Sequence, residues 1–154
     1  MEPDVPTPDQ VLLRALRRQR ADLRDSMSAL EHALAAPAPG RPDAWAGRVH
    51  MALVELSADF REHVDITEGP GGLYRGVLTT APRLSNAVAR LAREHAQIAD
   101  LVDTLLTRVS GPDGHAVEPV RDLRLALLGR LVRHRKRGSD LVYQAYAVDV
   151  GGET

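Results

Sequence analysis

The sequence predicts an all-α protein, an antiparallel up-down-up-down four-helix bundle, on the strength of three observations. Apolar residues recur by threes and fours along four long stretches, each bounded by proline, glycine or a capping residue. Aromatic residues make up 3% of the chain, so its core is built from Leu, Val and Ala rather than from sheet-favouring side chains. No stretch alternates apolar and polar residues long enough to compete as a strand. The 154 residues suffice for one domain, 1–154, with helices over roughly 8–36, 43–68, 82–109 and 117–147.

The first helix opens at Thr7-Pro8-Asp9-Gln10: Thr7 caps, Pro8 suits the first helical position and Gln10 closes a capping box. Leu13, Leu16, Leu23, Met27, Leu30 and Leu34 form its stripe, with Arg20 the one intruder, and Pro37-Ala38-Pro39-Gly40 ends it. Asp43 is the expected cap of the second helix and Trp45 an end plug. The second stripe is Val49, Leu53, Leu56, Phe60, His63 and Thr67, stopped by Gly69-Pro70-Gly71-Gly72. Residues 73–81 suit a short helical turn before Pro82, which starts or kinks the third helix. There Leu84, Val88, Leu91, His95, Ile98, Val102, Leu105 and Val109 hold the spacing without a break. After a turn at residues 110–114, the fourth helix carries Val120, Leu127, Leu131, His134, Leu141 and Ala145.

Composition excludes several classes. A net charge of -1 gives no global field to recruit nucleic acid or an acidic membrane. The basic run Arg133-His134-Arg135-Lys136-Arg137 fans around a helix with no interleaved aromatics, as a solvated face does. No apolar run approaches the ~20 residues of a membrane span. An acidic, Pro-rich N-terminus is unlike a signal peptide, which sets a cytoplasmic expectation. Without cysteine there is no thiolate site, so any metal needs nitrogen and oxygen ligands.

Six histidines sort by face at about 100° per helical residue. His32 and His50 fall away from their stripes and His115 lies in a turn. His63, His95 and His134 share the stripes of three different helices and sit toward the same half of the bundle. Imidazole is the commonest protein metal ligand, and three pointing inward suggest one polar pocket.

Residues 60–68 (Phe-Arg-Glu-His-Val-Asp-Ile-Thr-Glu), Glu94-His95, Arg133-His134 and the run from Asp140 to Gly152 resemble the hemerythrin family, specifically its bacterial HHE cation-binding branch. The resemblance implies a four-helix bundle with a non-haem di-iron centre that binds dioxygen or serves iron handling and oxygen or nitric oxide sensing. It assigns His63, His95 and His134 as ligands, with Glu68 the nearest match to a bridging carboxylate. The chain departs from that pattern elsewhere: the bridging position four residues after His63 is Thr67. A second ligand after His95 falls on Ala99, and the acid after His134 on Gly138 or Ser139, with Asp140 pointing away.

Three histidines and one carboxylate, His63, His95, His134 and Glu68, suit a mononuclear site with an open position. Iron is the implied ion, and zinc or manganese fit the same donors. The rival expectation is a metal-free relative that kept the bundle and serves as an interaction module, with a homodimer through leftover apolar surface. Tyr143 and Tyr146 are either hydrogen-bond donors to a site ligand or wet rings at a bundle end.

Overall fold

The computed structural model describes residues 3–36, 42–111 and 117–147, and among them every regular element is helical. The loop at residues 37–40, His115 and the tail after Ala147 lie outside the described residues. Helix α1 runs Pro8–Ala35 and opens on the expected capping box. The Gln10 amide donates to Thr7 Oγ1 (3.2 Å) and the Thr7 amide to Gln10 Oε1 (2.9 Å). Pro42, rather than Asp43, opens α2 (Pro42–Glu68). Next come α3 (Leu73–Thr80), a single 3₁₀ turn at Pro82–Leu84, α4 (Ser85–Ser110) and α5 (Val117–Val142). A five-residue π-helical turn, Tyr143–Ala147, closes the described chain. No described helix is long and apolar enough to cross a membrane.

The turn between α2 and α3 needs its glycines. Gly71 takes φ +71°, a left-handed conformation costly for residues with a Cβ. Gly72 packs so tightly on the end of α2 that a Cβ would sit 2.5 Å from the Ile66 carbonyl oxygen. The chain therefore reverses at once and lays α3 back against α2 and α4.

Four long helices share the larger core, in which α1 packs on α2, α2 on α4 and α4 on α5. Leu30 and Leu34 meet Val49, Leu53 and Leu56, with Ile98, Val102, Leu105, Leu127 and Leu131 across from them. Trp45, in the first turn of α2, is wholly buried in this core. A second, smaller cluster joins Leu73, Tyr74 and Val77 of α3 to Val88, Leu91, Leu141 and Ala145. Along α4, His95 stands between Leu91 of the small cluster and Ile98 of the large one. Along α5, His134 stands between Leu131 and Leu141. The histidines thus form a polar layer between two apolar ones.

The stripes expected on α2, α4 and α5 are the buried faces. That of α1 holds only at its C-terminal end. Leu13 is 43% exposed and Leu16, Leu23 and Met27 are half-buried, while Gln19 and Ser26 are buried. Those two polar residues turn inward because their neighbours on α2 are polar.

Candidate metal centre

The three stripe histidines meet. His134 Nε2 lies 3.2 Å from His63 Nε2 and 3.0 Å from His95 Nε2. One ligand atom from each lies within 4.8 Å of the others. His95 and His134 are 3% exposed and His63 is half-buried. Phe60 closes one side, stacked on His63 and edge-on to His95 with ring centres 5.8 and 5.7 Å away.

Each ring's other nitrogen is held from behind. His63 Nδ1 lies 3.0 Å from Gln19 Oε1, and the Gln19 amide is oriented by donating through Nε2 to the Asp59 carbonyl at 2.8 Å. Ser26 donates its hydroxyl proton to the Asp59 carboxylate and steadies the same stretch of α2. His95 Nδ1 lies 2.9 Å from Glu68 Oε2, and His134 Nδ1 lies 3.4 Å from Glu94 Oε2. Glu94 is buried, and Arg137 Nη1 donates to both its oxygens at 2.7 and 3.0 Å.

These partners fix the tautomers. Carboxylates and an amide oxygen accept only, so each Nδ1 must carry the proton, and a neutral imidazole has just one. The Nε2 lone pairs of His63 and His95 then both face that of His134. Such an arrangement has three acceptors and no donor between them, except the Tyr74 hydroxyl at 3.4 Å from His95 Nε2. A cation at the point of convergence would resolve the conflict. Nitrogen ligands at 2.0–2.1 Å imply edges of about 3.3 Å for tetrahedral coordination and about 3.0 Å for an octahedral face. The two separations from His134 Nε2, 3.0 and 3.2 Å, match such edges.

Electrostatics keep the rings available. Burial lowers His63 from the usual 6.5 to about 3, with His95 and His134 adding repulsion. Burial likewise lowers His134 to about 4, and lowers His95 against the pull of Glu68. At neutral pH all three are uncharged, the form that binds metal.

Glu68, expected among the direct ligands, stands on the far side of the His95 ring and grips Nδ1. Thr67 explains this. It occupies the inward position, 2% exposed, and returns its hydroxyl to the His63 carbonyl at 2.8 Å. Glu68, one residue on and 35% exposed in its side chain, reaches the cluster only from outside. Ala99 packs against the large core, and Asp140 faces Lys136 at 3.6 Å on the surface. At Gly138 a Cβ would meet nothing within 4 Å, so the missing acid leaves open space. Tyr143 and Tyr146 are 63% and 39% exposed, with wet rings.

Gly138 borders a cavity of about 50 Å³ that reaches His63, His134 and Tyr74 between apolar walls from Leu16, Leu23, Met27, Leu73 and Leu131. Arg20 stands exposed on its rim.

Sequence reasoning missed Gln19, Tyr74 and Glu94. The spacing of Leu73, Tyr74, Val77 and Ala81 carries the signal for Tyr74, since it marks one inward face of a short helix. Glu94 and Gln19 break the apolar pattern and carry no such mark. No protein-family model, curated protein or solved structure matches the chain.

Proposed function

We propose that this protein is a mononuclear metal-binding bundle of hemerythrin-like kind, its four long helices in up-down-up-down order, serving small-gas binding or redox sensing. The ligands are the Nε2 atoms of His63, His95 and His134. The observation that carries the reading is their convergence with every Nδ1 proton already committed elsewhere.

A divalent ion suits the charge, because three neutral imidazoles are backed by the carboxylates of Glu68 and Glu94. The resemblance favours iron, and zinc or manganese fit the same donors. A di-iron centre lacks support, since Thr67, Ala99, Gly138 and Ser139 stand where further ligands are needed. When bound, such an ion supplies Lewis acidity and, for iron, a one-electron couple at an open coordination position.

The chain's own residues do the rest. Glu68 and Glu94 hold the Nδ1 protons, which orients the rings and raises their basicity. Phe60 and Leu131 restrict water. The Tyr74 hydroxyl lines the cavity, and burial raises its pKa, so it remains a protonated donor. The cavity's apolar walls and roughly 50 Å³ suit a diatomic molecule such as dioxygen or nitric oxide.

Elemental analysis of protein purified without chelator tests the claim. About one iron, zinc or manganese per chain is the expected result for a single three-histidine donor set. Under about a third of an ion per chain, with no uptake of added Fe²⁺ or Zn²⁺, returns the metal-free interaction module.

A further inference from the structure

Beside Glu94, α4 and α5 form a second cleft of about 430 Å³, which His134 does not line. Its lining follows one spacing on both helices: Arg90, Arg93 and Gln97 on α4, and Arg130, Arg133 and Arg137 on α5. Five guanidinium groups thus border one concave space whose only carboxylate is Glu94. That carboxylate is already engaged by Arg137 and His134. Arg130 is tied to Gln97 at 2.9 Å, whereas Arg90, Arg93 and Arg133 have no partner among the described residues.

A solvated basic face has charges that spread apart. Here the basic run of α5 divides. Arg133 and Arg137, one turn apart, enter the cleft, while Lys136 pairs with Asp140 at the surface and Arg135 borders the apolar cavity. Like charges this close repel, and a multiply charged anion between them converts the repulsion to attraction. Guanidinium matches phosphate oxygens with paired donors, which a helix-borne set on two sides of a cleft can deliver to more than one phosphate.

We propose that this cleft binds a compact soluble polyanion carrying two or three linked phosphate groups. A polymer is disfavoured by three features. The site is concave and of single-molecule size, no aromatic residue lines it for base stacking, and the chain's net charge is -1. Recognition is therefore of the phosphate chain itself.

Calorimetric titration with inorganic pyrophosphate at 0.15 M salt tests this without reference to any metal, so its failure leaves the histidine site untouched. The expected result is one pyrophosphate per chain with Kd below about 1 mM, weakened at least ~fivefold in the exposed-residue double variant Arg93→Gln, Arg133→Gln. Weaker binding to the wild type, or a smaller loss in the double variant, overturns the proposal. So does tighter binding, per site, of a duplex oligonucleotide or of phosphatidylserine vesicles.

Discussion

Leu105 and His95 lie ten residues apart on the same stripe of α4 and are 1% and 3% exposed. Leu105 is held by neighbours that exclude water, and any aliphatic side chain of its volume would serve. His95 is held at both nitrogens, by Glu68 behind and by the Tyr74 hydroxyl in front. Equal burial therefore hides opposite demands. In the aliphatic layer what matters is volume, whereas in the histidine layer it is the accounting of protons. The first tolerates chemical change, and the second tolerates none at its ring nitrogens.

The sharpest break in that comparison is His95→Ala. It should lower Fe²⁺ or Zn²⁺ affinity by more than the about 100-fold seen when only an outer-shell partner is lost, while circular dichroism keeps its helical signal. Leu105→Ala is its counterpart. It should cost about 2–4 kcal/mol in urea unfolding through the cavity it leaves, with metal stoichiometry unchanged.

Acid separates the layers again. Unfolded histidines protonate near 6.5, while the folded rings resist until about 4 at His134 and about 3 at His63. Between those values the unfolded state binds more protons. In the metal-free protein the stability these two rings contribute is therefore constant above 6.5 and lost as pH falls below it, by up to about 1.4 kcal/mol per unit for each excluded proton. Urea midpoints at pH 7.5 and 5 read this loss, and the Leu105→Ala penalty should be equal at both. The smallest effect belongs to Glu68→Ala, which should weaken metal binding about tenfold, because water can replace a partly exposed outer carboxylate. Competition against a chromophoric chelator measures it.

Where a face is purely apolar, periodicity alone located it, as on α4 and α5 and most of α2. The three histidines were found because each occupies a stripe position, so the stripe carried them inward. On α1 the same logic pointed to Leu13 and away from Gln19, since hydropathy cannot register a polar residue whose partner is another polar residue on a different helix. Gln19 faces His63 and the Asp59 carbonyl, both some forty positions further along the chain. Glu94 was hidden for a similar reason. Its burial depends on Arg137 and His134 of α5, a pairing that only the packed helices create. Glu68 was recognised as part of the site, but its station behind the ring follows from Thr67 having taken the inward place.

Glu68 is the last residue of α2 and Tyr74 the second of α3, so the sharp reversal at Gly71 and Gly72 joins both residues that clasp His95. One brief unwinding of that hairpin would release the ring at both ends simultaneously. Amide deuterium uptake across residues 68–74 should therefore slow when metal is added, reporting occupancy from the backbone rather than from the ion.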